Sequence, residues 1–202
     1  MLGLTRGRLI AVLLAIVAGI AIGVGVQLFV GGSGQSSRSF VDTSIGGPFK
    51  LVDQDGKVRT DTEFRGKLML VEFGYTFCPD VCPLGLQLFA DVLDQLGPDA
   101  DNVQAVFVTL DPARDTPAVL GPYIDHFSPR ILGLTGSEAD IAAVAREFRV
   151  YYKLAADHAT NPNYLVDHSA ILYLMGRDGR FLTHFTHETP PERMVAALRE
   201  RM

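Results

Sequence analysis

The sequence predicts an α/β domain built on a mixed sheet flanked by helices, set behind a single N-terminal transmembrane helix. Three observations carry that prediction. Leu9 to Val30 is an uncharged run of 22 residues. From about Phe40 onward, compact apolar runs alternate with segments of helical periodicity, and the series ends in a hairpin and one more helix. The two cysteines of the chain, Cys78 and Cys82, both fall in "GYTFCPDVCP" (74–83), where the first central strand feeds a helix.

As a helix, residues 9–30 reach about 33 Å at about 1.5 Å per residue, enough for a hydrocarbon core of about 30 Å. Arg6 and Arg8 precede the run, so a cleavable signal peptide is the competing reading. The run exceeds a typical secretory apolar core, and Gly31, Gly32 and Ser33 form no A-x-A cleavage site, which favours an uncleaved anchor. Residues 1–8 then stay cytoplasmic, and the positive-inside rule sends the remainder across the inner membrane into the periplasm. "GGSGQSSRS" (31–39) has the composition of a flexible tether, leaving 40–202 as the folded domain. Net charge is −5 with Lys and Arg scattered, a distribution that offers nothing to nucleic acid.

Along the domain, "KLMLVEFGY" (67–75) reads as a buried strand. Leu84, Leu88, Val92 and Leu96 recur at helical spacing and stop at Gly97, so a helix is expected after Pro83. "NVQAVFVTLDP" (102–112) is a second buried strand, and Thr116-Pro117 opens the next helix. "RILGLTG" is a short strand; "SEADIAAVAREF" then begins with a capping box of Ser137 and Asp140. "SAILYLMGRDGRFLTHF" (169–185) is a hairpin turning at Asp178-Gly179, and an amphipathic helix closes the chain. With both cysteines at the first strand-to-helix junction, this is a thioredoxin-like layout.

Cysteines at i and i+4 of a helical turn share one face, and a helix N-terminus favours thiolate over thiol, so both sulfurs are expected to be more acidic than free cysteine. Thiolate attacks disulfides and also binds metal, so placement leaves both uses open. Thioredoxin-type enzymes use C-x-x-C, whereas "CPDVC" has one residue more and a wider bite. Those enzymes also place a proline before the hairpin strand, where this chain has Asp167-His168 in "YLVDHSAILYL" (164–174). Two thiolates and one imidazole suit Cu(I) in a trigonal site, and hold Cu(II) or zinc with a further ligand. A structural zinc site needs four protein ligands, and no evident fourth exists, so copper leads.

The remaining candidates are weaker. His126, His158, His184 and His187 each read as surface or core residues, and the methionines form no M-x-x-M cluster. "DPARDTP" (111–117) is explained mostly by a strand end and a helix cap, with Asp111 a candidate for a place near the cysteines. Peroxiredoxin-like chemistry is disfavoured because Tyr75 stands where those sites set threonine.

Together, "GYTFCPDVCP", "LDPARDTP", "FRVYYK" (148–153) and "VDHSAILYLMGRDGRF" (166–181) resemble the SCO/SenC family, the copper-carrying assembly factors of cytochrome c oxidase. The likeness runs from about Gly46 onward, in the family's order. It implies a membrane-tethered thioredoxin fold with Cys78, Cys82 and His168 as copper ligands, delivering copper to the dinuclear centre of oxidase subunit II. The alternative it leaves open is a thiol-disulfide oxidoreductase that reduces that subunit's cysteines, a job that does not need the histidine. Either job implies a further partner, a copper donor or a thiol reductant.

Overall fold

Seven consecutive buried residues, Leu68–Gly74, force one strand into the middle of the sheet, and the rest of the domain is arranged around it. The computed structural model describes residues 44–202 and, upstream, Gly19 alone. The expected anchor (9–30, Gly19 apart) and tether (31–39) lie outside the described residues, as do 40–43; among the described residues no helix is long and apolar enough to cross a membrane.

The strands are β1 (Lys50–Asp53), β2 (Val58–Thr60), β3 (Leu68–Gly74), β4 (Val103–Thr109), β5 (Ile131–Thr135), β6 (Tyr152–Leu154), β7 (Val166–His168), β8 (Leu172–Met175) and β9 (Phe181–Phe185). The helices are α1 (Val81–Leu96), α2 (Pro117–Asp125), α3 (Glu138–Glu147) and α4 (Pro191–Arg199). Seven strands form the main sheet in the order β2-β1-β5-β4-β3-β8-β9, and β6 pairs only with β7 in a separate two-stranded sheet. β3, β4 and β5 run parallel, while β8 and β9 close one side antiparallel. This is the thioredoxin-like mixed sheet expected, with the β1–β2 and β6–β7 hairpins added to it.

Alternation along β3 assigns the two faces. Glu72 is aligned with Phe107 of β4 and Gly133 of β5; that row meets Gly85 of α1 and Leu120 and Ile124 of α2. Phe73 points the other way, into rings of Phe148 and Tyr173 at centroid distances of 5.2 and 6.1 Å. Phe148 caps α3, so α3 covers this second face. Ser137 Oγ accepts from the Asp140 N–H at 3.2 Å, the capping box the sequence announces, and Gly179 turns the β8–β9 hairpin at φ 76°.

The front edge is where β3 and β4 end side by side. The Leu110 N–H donates to the Gly74 carbonyl at 2.7 Å, tying the two following loops at their roots. Glycine is required at two points there. A Cβ on Gly74 would come within 2.6 Å of Cys82 Sγ and 2.8 Å of the Phe107 ring, and a Cβ on Gly85 would collide with the Glu72 carboxyl.

At Gly85 two effects oppose each other. Alanine in a helix interior gains about 1 kcal/mol over glycine, but overpacking costs about 1–3 kcal/mol. Gly85→Ala is therefore expected to lower stability by about 1 kcal/mol in urea unfolding. A double-mutant cycle with Glu72→Ala should show positive coupling; strict additivity would locate the strain elsewhere.

Candidate metal centre

Helix α1 begins at Val81, three residues earlier than its apolar spacing suggests, and this separates the two thiols. Cys78 lies before the helix, in a turn closed by its own N–H donating to the Tyr75 carbonyl at 3.1 Å. Cys82 lies in the first helical turn, wholly buried, with its sulfur against Gly74. Both cysteines are free.

The expectation that both thiols are acidified holds for one only. Cys78 is drawn down to about 5, chiefly because Cys82 donates a hydrogen bond to its sulfur; burial opposes this, and the N–H groups of Asp80 and Cys82 and the nearby His168 assist. Cys82 is pushed up, by its bond to the Cys78 thiolate, by burial and by Glu72. One proton thus serves two sulfurs, and it stays on the deeper one. Glu72 is 5% exposed, with Oε2 unpartnered, and burial raises its carboxyl well above the usual range.

His168 reaches the pair from β7, where it faces Tyr152 of β6. Its Nδ1 lies 3.0 Å from the Val166 carbonyl, which accepts the ring N–H and leaves the Nε2 lone pair free. Nε2 lies 3.4 Å from Cys82 Sγ, and the Tyr75 ring meets the imidazole edge-on at 5.7 Å. The three donor atoms of Cys78, Cys82 and His168 lie within 4.8 Å of one another, a spacing that metal bonds of about 2.0–2.3 Å can bridge. Among the described residues this is the one such group. Its soft donors fit copper better than any oxygen-seeking cation.

None of the other candidates joins the trio. Asp111 is 2% exposed and committed to Arg114 Nε and to the Tyr164 hydroxyl, the latter at 2.6 Å. Asp167 is exposed, on the opposite side of β7 from His168, as strand alternation requires. His126 caps α2 beside Phe127, His158 donates its Nδ1–H to the Ala155 carbonyl at 2.9 Å, and His184 stacks on Phe181. None of these histidines, nor His187, joins the trio.

Several supporting residues escaped the sequence reading. Asp115 is fully buried and accepts from the Thr76 N–H at 2.9 Å, from Thr76 Oγ1 at 2.5 Å and from Thr109 Oγ1 at 2.6 Å, pinning the cysteine loop to the end of β4. Arg114 bridges the same region to the loop before β7. The polar density of "DPARDTP" was the available signal for both.

Fold and centre define a class: a thioredoxin-like domain in which an imidazole completes a dithiol into a soft-metal centre. The chain belongs to the SCO1/SenC family, whose model matches residues 38–202. It is similar to the SCO2-like protein of Rickettsia felis, 39% identical over 158 residues that span 78% of this chain and 77% of that one. Among solved structures it is similar to Bradyrhizobium japonicum ScoI with copper bound, at 46% identity and TM-score 0.74, covering 79% of this chain and 100% of the other. Arabidopsis thaliana ScoI with copper bound follows the same fold at 36% identity and TM-score 0.71, covering 78% and 98%.

The thiol asymmetry sets a pH dependence in the reduced, metal-free protein. Because the pKa of Cys78 is depressed from an ordinary 9.0, its thiolate persists above pH 5 and is lost as pH falls through that value. Iodoacetamide should therefore alkylate Cys78 with a midpoint near pH 5 and a plateau by neutrality, while Cys82 stays protected. Cys82→Ala removes the donor and should move the midpoint upward. Mass spectrometry of the alkylated peptide gives the profile, and a wild-type midpoint near 9 would refute the asymmetry.

Proposed function

We propose that this protein is a membrane-anchored copper chaperone: it binds copper through Cys78, Cys82 and His168 and delivers it to the dinuclear copper centre of cytochrome c oxidase subunit II during assembly. The observation that carries this reading is the imidazole, with Nε2 held 3.4 Å from Cys82 Sγ and Nδ1 engaged by backbone. A dithiol reductase has no need of that group. Two thiolates and an imidazole suit Cu(I), and they take Cu(II) with an added ligand. The copper-bound solved relatives support the choice of metal, and the family likeness supports the oxidase as recipient.

Loading follows from the proton inventory. At neutral pH Cys78 is already a thiolate, His168 turns its Nε2 toward the sulfurs because the Val166 carbonyl engages Nδ1, and Cys82 releases its proton as copper binds. Unloading begins from outside. Cys78 is 9% exposed and Cys82 0%, so a partner's ligands reach Cys78 and the half-buried His168 first and Cys82 last. The apolar run at 9–30, with Arg6 and Arg8 before it, supports a single-pass anchor in the inner membrane and a periplasmic domain, loaded by a copper donor of that compartment.

One observation favours a second reading. A low-pKa outer thiol and a protonated inner thiol also suit thiol-disulfide exchange: Cys78 attacks a disulfide of the subunit, Cys82 displaces the reduced partner, and a thiol reductant returns the pair to dithiol.

Replacing His168 separates the two. His168→Ala is expected to keep Cu(I) on the two thiolates, to lose Cu(II) affinity on the order of 100-fold, and to abolish oxidase assembly with the dithiol-disulfide equilibrium nearly unchanged. Metal titration, the reduction potential of the pair and cellular oxidase activity are read on the same variant. Normal assembly despite lost Cu(II) binding would promote the reductase. The wild-type protein should bind one copper when reduced and none at this centre when Cys78 and Cys82 are bridged; retained stoichiometric copper in the bridged form would move the site. Residues 40–202 should restore oxidase activity when exported and fail when confined to the cytoplasm; rescue from the cytoplasm would overturn the topology.

A further inference from the structure

The third ligand sits on a weak element. β6 and β7 pair only with each other, through Tyr152–His168, Lys153–Asp167 and Leu154–Val166, and an isolated two-stranded ribbon is marginal in water. The 155–165 connection between them is mostly exposed. Burial of Tyr164 and Val166 fixes how deep β7 lies. It does not by itself fasten the ribbon to the cysteine loop.

We propose that Arg114 is a positioning residue that clasps the His168-bearing hairpin to the cysteine loop and thereby sets the third copper ligand. Arg114 comes from the loop between β4 and α2. Its Nε donates to Asp111, whose other carboxylate oxygen accepts from the Tyr164 hydroxyl at 2.6 Å, and its Nη1 donates to the Pro162 carbonyl at 3.1 Å. The guanidinium carbon lies 3.6 Å from the Tyr164 ring centroid and 5.0 Å from that of Phe77, the residue before Cys78. It also lies 5.8 Å from the ring of Tyr75, which meets His168 edge-on. One planar cation is thus held among a ring and a carbonyl of the hairpin loop and rings of the cysteine loop. Stacking and a forked donor set are properties of arginine that lysine lacks.

The clasp acts on the imidazole without touching copper or its donor atoms. Its loss leaves both thiolates in place and lets the ribbon move, so His168 must be ordered anew each time metal binds. Cu(II), which needs the imidazole, feels this; Cu(I), which two thiolates hold, does not. This inference rests on the proposed ligand set, so its test carries a control for that set.

Full-length Arg114→Gln, Arg114→Lys and His168→Ala proteins are compared in detergent with the wild type. Hydrogen exchange across 155–168 is measured in the metal-free state, and Cu(I) and Cu(II) affinities are titrated separately. Both Arg114 variants are expected to exchange about tenfold faster in that segment, to lose about tenfold in Cu(II) affinity and to keep Cu(I) affinity within about threefold. Lysine should not rescue, although it keeps the charge opposite Asp111. Unchanged exchange and unchanged Cu(II) affinity in both variants, alongside Cu(II) loss in His168→Ala, would overturn the clasp and leave the ligand set standing. If His168→Ala retains its Cu(II), the ligand reading falls; exchange then decides the clasp alone, faster upholding it and unchanged overturning it. Should the Arg114 variants fail to fold, Tyr164→Leu removes the outer ring while sparing the Arg114–Asp111 pair, and the same paired shifts decide.

Discussion

The candidate metal centre depends on one contact, that of His168 Nε2 with Cys82 Sγ, made between residues 86 positions apart. Each side of it is prepared separately. On the cysteine side, the full burial of β3 and the bare Cα of Gly74 let the Cys82 sulfur rest against the end of the central strand. On the histidine side, the Val166 carbonyl takes the Nδ1 proton and so decides which nitrogen faces the sulfur. Neither preparation involves the other. The join between them is left to loops: the cysteine loop, the loop after β4 and the loop before β7.

That junction is crowded with acids, and their charges must be managed for a thiolate to persist there. Like charges about 5 Å apart repel by about 3 kcal/mol at an effective dielectric of about 20. Three different solutions appear. Glu72 has no counter-charge and no bond on Oε2, and burial holds it protonated far above the usual carboxylate range. Asp115 is also raised by burial, against the pull of hydrogen bonds from Thr109 and Thr76. Asp111 is paired with Arg114. The Cys78 thiolate is therefore spared the repulsion that an ionised Glu72 and an unpaired Asp111 would add. Asp115 also ties the cysteine loop to the end of β4, through Thr76 on one side and Thr109 on the other.

Much of this was legible in the sequence, for local reasons. The buried strands, the Ser137–Asp140 capping box, the Thr116-Pro117 helix start and the Asp178-Gly179 turn are each written in a few adjacent residues. So are the two cysteines and the Asp167-His168 pair, which the fold then brings to one place. What was not legible depends on distant pairing or on a tolerance that sequence patterns hide. The β6–β7 ribbon joins "YKL" to "VDH" across a long loop, with none of the two-residue turn signals that mark a hairpin. The apolar spacing starts α1 after Pro83, yet Pro83 occupies the first turn, where its missing N–H has no partner to lose. Moving that start back to Val81 puts Cys82 inside the helix and Cys78 outside it, and the inequality of the thiols follows.

That inequality bears on how copper loading and thiol chemistry relate. In the reduced, metal-free centre above pH 5 the pair holds one proton, on Cys82. Copper binding expels that proton, because a ligating thiol is deprotonated. Forming a disulfide from one thiolate and one thiol also expels one proton, together with two electrons. Over the range in which Cys78 is ionised and Cys82 is not, both outcomes carry the same proton dependence at the sulfurs. The thiol pair's own acidity therefore cannot favour one over the other. In the proposed ligand set the imidazole is the donor that copper would use and a disulfide would not. With that ligand set, selection between the two fates would rest on how firmly the β6–β7 ribbon presents His168, and so on loops rather than on the thiols themselves.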